Sequence, residues 1–170
     1  APSLVGSEMC IRDSHMAIYK YVLHHRDNTI DKWFLETLGV WVSTLNKCEY
    51  CIEHHFAGLK RLLNDDEKAT QIRSAIYTNK IEEAPLENCQ KTAMEYARKL
   101  THNPGSIREE SIEKLRADGY TDGEILEINQ VCAYFSYANR TVLGLGCSTK
   151  GDILGLSPNN NDDPNDWGHS

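Results

Sequence analysis

The chain has 170 residues, enough for one domain with a core of its own and no need of covalent staples. Its formal charge of -7 offers no basic surface to nucleic acid or an anionic membrane, and no stretch approaches the ~20 apolar residues of a membrane span. Six cysteines are scattered apart from one close pair, and no N-terminal apolar run reads as a secretory signal, so the expectation is a reduced, cytoplasmic protein.

Taken in chain order, residues 1–14 come first as a segment apart. Glu8-Met9-Cys10-Ile11-Arg12-Asp13-Ser14 resembles translated sequencing adaptor, and Cys10 is given no functional weight. Helical spacing predicts helices over 15–26, 30–45, 48–63 and 65–77, the last capped by Asn64 with Glu67 at the third position. His24 and His25 end the first of these, where cations suit the helix dipole, and read as surface residues. A fifth helix over 85–100 carries Cys89, Ala93, Tyr96, Ala97 and Leu100 at helical spacing and stops at His102-Asn103-Pro104-Gly105.

Ser106-x-x-Glu109 opens a short helix that Gly119 closes. Thr121-x-x-Glu124 opens the longest helix, with Ile125, Ile128, Cys132, Phe135, Ala138 and Val142 on one stripe. Cys132 on that stripe is expected to pack as a small hydrophobe, and Cys89 and Cys147 are read the same way. No period-two run occurs, so the predicted class is all-α: a compact bundle of about seven helices over 15–154. Residues 155–170 read as a polar tail, with Trp167 as a possible anchor beyond a run of Asn, Asp and Pro.

The chemistry concentrates in Cys48-Glu49-Tyr50-Cys51-Ile52-Glu53-His54-His55, with Glu36 twelve residues ahead of the first cysteine. At ~100° per residue Cys51 lies ~60° and His55 ~20° from Cys48, so the two sulfurs can bond and His55 can serve Cys51 across one turn. His54 points away from that direction and is the weaker partner. A straight helix would hold Glu36 and Cys48 ~18 Å apart, which requires a break at Leu45-Asn46-Lys47. Asn46 as N-cap with Glu49 three residues on would start the new helix, leaving Cys48 in its first turn, where the dipole favours thiolate. Folded as a hairpin about that break, Glu36 and His55 would face one another.

Glu36, eleven intervening residues, then Cys48-x-x-Cys51-x-x-x-His55 resembles the AhpD-like alkylhydroperoxidases of the carboxymuconolactone decarboxylase superfamily. Asn46-Lys47-Cys48-Glu49-Tyr50-Cys51 with His54-His55, and weaker likeness from Tyr19 to Gly155-Leu156-Ser157-Pro158 and Trp167, looks like its peroxidase-related branch. The resemblance implies a thiol peroxidase in which Cys51 attacks a hydroperoxide, Cys48 resolves it as a disulfide, and Glu36 with His55 relays the proton. It further implies a lipoyl- or thioredoxin-like dithiol reductant, no cofactor, and a trimer or hexamer. The best-studied members carry a histidine where this chain has Tyr50, which bears on the strength of the relay.

Two other readings of the same residues stay open. A thiol-disulfide oxidoreductase would use the pair without consuming peroxide. A zinc-stabilised interaction module would use Cys48, Cys51 and His55 as ligands.

Overall fold

The computed structural model describes residues 14–155. The readings for residues 1–13, including Cys10, and for the tail from 156 onward, including Trp167, lie outside them. Among the described residues there are seven α-helices and no strand, which agrees with the expected class. They are α1 (14–23), α2 (Lys32–Leu45), α3 (Glu49–Leu63), α4 (Asp66–Tyr77), α5 (Asn88–His102), α6 (Glu109–Ala117) and α7 (Asp122–Gly144), with 3-10 turns at Ile81–Glu83 and Pro104–Ser106.

The bundle is organised around α2. Every residue from Phe34 to Ser43 is buried, because α3, α4, α5 and α7 all pack against this helix. A helix enclosed on all sides has to be apolar on all sides, and the sequence complies except at a few positions. Thr37 satisfies its hydroxyl on the Trp33 carbonyl at 2.9 Å, and Trp41 donates its indole N–H to the Met94 carbonyl of α5 at 2.8 Å. Ser43 accepts from Asn139 of α7 at 3.0 Å, and Glu36, a buried carboxylate, likewise needs partners.

The expected break between α2 and α3 is present, but it is built differently from the expectation. Asn46 caps the end of α2 instead of the start of α3. Lys47 adopts the left-handed conformation at φ 59°, its N–H reaching the Thr44 carbonyl at 3.0 Å, and the Cys48 N–H reaches back to Ser43 at 2.9 Å. That pair of bonds is a Schellman close, which satisfies carbonyls the helix end would otherwise leave open. Cys48 is then the N-cap residue of α3, its carbonyl accepting from Ile52 N–H at 3.1 Å. One cysteine thus ends one helix and begins the next, and the hairpin turn fixes it from both sides.

Two other caps move by one or two residues. Asn64 takes the left-handed C-cap of α3, and Asp65 caps α4 through a 2.9 Å bond from Lys68 N–H. The left-handed φ suits Asn, whose short polar side chain tolerates it. Ser106 closes a 3-10 turn, which leaves Arg108 at the N-cap of α6. Thr121 and Glu124 do form the expected reciprocal capping box at the start of α7, and Gly119 closes α6 at φ 101°. Among the described residues no helix is long and apolar enough to cross a membrane.

Candidate active site

The hairpin brings its two arms together at one buried ion-pair geometry. Glu36 in α2 is 1% exposed, and its Oε2 lies 2.6 Å from His55 Nδ1 in α3. The carboxylate accepts, so Nδ1 donates, and Nε2 is left as the ring nitrogen able to receive a proton. Gly58, one turn beyond His55 on α3, faces this carboxylate: a Cβ there would stand 3.4 Å from Glu36 Cδ. The ring of His55 is set by Phe135 of α7, edge-on at 4.6 Å and 85°, and by Tyr19 of α1 at 6.0 Å.

A second histidine joins the same carboxylate, contrary to the surface role expected of it. Helix α1 stops at residue 23, and the turn that follows folds His24 inward, leaving its side chain 2% exposed. Its Nε2 is 3.7 Å from Glu36 Oε1 and 2.9 Å from the Tyr19 hydroxyl. Burial lowers the His24 pKa to about 4, against the pull of Glu36 and with a smaller push from His55. Burial and then Glu36 hold the Tyr19 phenol well above its ordinary range. The signal available in the sequence was slight: His24 directly follows the buried Leu23 on a stripe that also holds Tyr19.

Cys48 and Cys51 precede His55 at the start of α3, both free, at 0% and 4% exposure. Their thiols are hydrogen-bonded to one another, and His55 follows Cys51 by one helical turn. Burial, followed by the field and hydrogen bond of Cys48, pushes the Cys51 thiol up to about 12. The dipole expectation concerned Cys48; for Cys51 desolvation is the largest influence. Cys51 therefore rests as a thiol and needs a base to react.

One group opposes that shift. The side chain of Asn139 in α7 hydrogen-bonds Cys51 and lowers its pKa. Asn139 is fully buried, donates from Nδ2 to Ser43 Oγ at 3.0 Å and accepts from Asn46 Nδ2 at 3.0 Å, so both ends of the amide are fixed. The sequence did carry a hint of it: Asn139 falls on the apolar stripe between Phe135 and Val142, where a polar residue has to have a partner.

Tyr134 joins the two halves of the site. Its hydroxyl meets His15 Nε2 at 3.1 Å, and its pKa is raised by burial and by the fields of both Cys51 and Glu36. His54 turns away, as expected of the weaker partner, with Nε2 3.1 Å from Asp152 Oδ2 and its ring 4.5 Å from that of Tyr50. Cys132 is buried as expected and Cys89 is half-buried, but Cys147 is exposed after the end of α7 and so does not pack in the core. Among the described residues no three His, Cys, Asp or Glu side chains group as a metal ion would require.

These residues meet in a fold shared with known structures. A peroxidase-related protein of Silicibacter sp. TM1040 superposes with a TM-score of 0.72 at 27% identity, over 80% of this chain and 68% of that one. An alkylhydroperoxidase AhpD core protein of Ralstonia eutropha JMP134, also titled peroxidase-related, gives 0.70 at 23% identity, over 87% and 70%. The fold alone is shared with an Agrobacterium tumefaciens protein of unknown function, a candidate AhpD antioxidant defence protein, at a TM-score of 0.62 and 20% identity over 81% and 89%. No family model matches the sequence, and no curated protein does. The chain's fold is therefore that of the AhpD-like, peroxidase-related proteins.

Proposed function

We propose that the protein is a thiol-dependent peroxidase that reduces hydroperoxides through Cys51 and Cys48, with Glu36 and His55 as the proton relay. The observation that carries this reading is the 2.6 Å contact between Glu36 and His55 beside a free cysteine pair. Glu36 holds the His55 ring with Nε2 able to accept, and a buried thiol whose pKa is about 12 cannot ionise at neutral pH without such help.

In the reaction His55 takes the Cys51 proton, and the thiolate sulfur attacks the terminal peroxide oxygen. The O–O bond breaks, His55 returns the proton to the leaving oxygen, and an alcohol or water departs. Cys51 is left as a sulfenic acid. The Cys48 sulfur then displaces that oxygen as water, forming the Cys48–Cys51 disulfide. An external dithiol of lipoyl or thioredoxin type supplies two electrons and two protons to reset the pair. Assembly into a trimer or hexamer belongs to the same reading, and light scattering near 19.3 kDa at micromolar concentration would contradict it.

The test is to treat the reduced protein with cumene hydroperoxide, then count thiols and bound metal on one sample. Loss of two thiols with a Cys48–Cys51 peptide on digestion supports the peroxidase. Thiols that resist peroxide but exchange with disulfides would instead establish the oxidoreductase, and stoichiometric zinc would establish the interaction module.

A further inference from the structure

The peroxidase reading leaves a problem of access. Cys48 and Cys51 are 0% and 4% exposed, and a disulfide between them would be equally hidden from the dithiol that has to attack one of its sulfurs. Exchange proceeds by in-line contact of thiolate with sulfur, so it needs an open approach.

Past the end of α7 the chain runs Gly144-Leu145-Gly146-Cys147-Ser148-Thr149-Lys150-Gly151-Asp152 and returns over α3. The return is pinned at three places. Cys147 N–H reaches the Val142 carbonyl at 3.1 Å, Asp152 Oδ2 lies 3.1 Å from His54 Nε2, and Gly155 sits so close to Ala57 that a Cβ on it would stand 2.6 Å from the Ala57 Cβ. The Cys147 side chain is nevertheless exposed. A Cβ added at Gly144, Gly146 or Gly151 would meet nothing within 4 Å, so the space beside this segment is open. The Asp152 carboxylate also bonds the Tyr50 hydroxyl, next in sequence to Cys51, and the fields of Cys147 and Cys51 both act on that hydroxyl. Cys147 acts on Cys51 itself as well. Three thiols therefore gather at one end of α3, two beneath the surface and one upon it.

We propose that Cys147 is a third redox thiol, which takes the disulfide from the buried Cys48–Cys51 pair and presents it at the surface to a dithiol reductant. The proposal rests on the cysteine pair being the redox centre. The Cys147 thiolate attacks Cys51 Sγ; the Cys48–Cys51 bond breaks, the Cys51–Cys147 bond forms, and Cys48 leaves as thiolate and takes a proton. That exchange carries no net oxidation. The dithiol then attacks the exposed Cys147 sulfur, releasing Cys51. Its second thiol closes the reductant's own disulfide and frees Cys147. Two electrons and two protons pass from dithiol to protein overall. The Cys51–Cys147 bond requires Cα atoms about 4.4–6.8 Å apart.

The test uses Cys48→Ser protein in two arms, one oxidised with diamide and one with cumene hydroperoxide, each acid-quenched, digested and mapped. A Cys51–Cys147 peptide in the diamide arm is expected. Cys147→Ser protein carrying the Cys48–Cys51 disulfide should be reduced by dihydrolipoamide about tenfold or more slowly than the parent. No Cys51–Cys147 peptide in the diamide arm, or reduction of Cys147→Ser at the parental rate, overturns the proposal. A diamide cross-link together with thiols inert to peroxide in the parent upholds Cys147 and overturns the peroxide reading instead.

Discussion

Phe135 occupies the space that a side chain on Gly39 would need: a Cβ at residue 39 would lie 2.3 Å from Phe135 Cζ. The same ring stands edge-on to His55 at 4.6 Å, so the approach of α7 to α2 also sets the position of the histidine. Gly39→Ala should therefore destabilise the protein by about 1–3 kcal/mol through overpacking. It should also slow the peroxide reaction by displacing the ring toward His55. Chemical denaturation and single-turnover kinetics read the two effects. Phe135→Leu in the Gly39→Ala background should recover stability, because it removes the clashing atoms.

The buried His24 makes stability depend on acid. Its pKa falls from 6.5 to about 4 on folding, mainly by burial, so between those values the unfolded chain binds more protons than the folded one. Stability is present above pH 6.5 and is lost as pH falls toward 4, by roughly 3 kcal/mol at most for this group. Denaturant midpoints across that window should fall with acidity in the parent. They should fall distinctly less in His24→Asn, and equal slopes would remove His24 as the cause.

Lys47 bears the strain of the hairpin. It holds φ 59° without being glycine, in the close that positions Cys48. Lys47→Gly should stabilise the protein by up to about 1 kcal/mol, since glycine enters that region without penalty. A lower denaturation midpoint would show that Lys47 has a compensating interaction.

The sequence made the helices, the hairpin and the Glu36–His55 pairing legible, because each follows from local period and spacing. Asn46 and Asn64 misled for a shared reason: Asn suits an N-cap and a helix C-terminus alike, and the close around Lys47 depends on a left-handed lysine that composition does not favour. His24 was misread because the turn after α1 brings it onto Glu36 of α2, a contact between elements that dipole reasoning along one helix does not contain. The height of the Cys51 pKa was not legible because burial arises from packing between helices, which no local rule reports. Cys147 looked apolar in type, yet it follows the end of α7 and is exposed.

Asn139 gives a direct test of how Cys51 is tuned. Asn139→Asp keeps an acceptor for Asn46 and nearly the same shape, but it removes the amide donor beside Cys51 and introduces negative charge. The Cys51 thiol should then ionise at still higher pH and react more slowly with peroxide. Following thiolate absorbance against pH in a Cys48→Ser background measures this, and an unchanged titration would exclude the amide as a stabiliser of the thiolate.

The relay is tested most directly by the second-order rate of cumene hydroperoxide reduction at pH 7 in the parent, His55→Gln, Glu36→Gln and the double variant. With His55 as base and Glu36 orienting it, each single change should lower the rate by about 10²–10⁴, and the double should be little worse than the poorer single. Rates of the variants should then climb about tenfold per pH unit above neutrality, since hydroxide replaces the lost base for a thiol whose pKa is about 12. Parental rates in both single variants at pH 7 would contradict the relay and leave the cysteine pair to act without it.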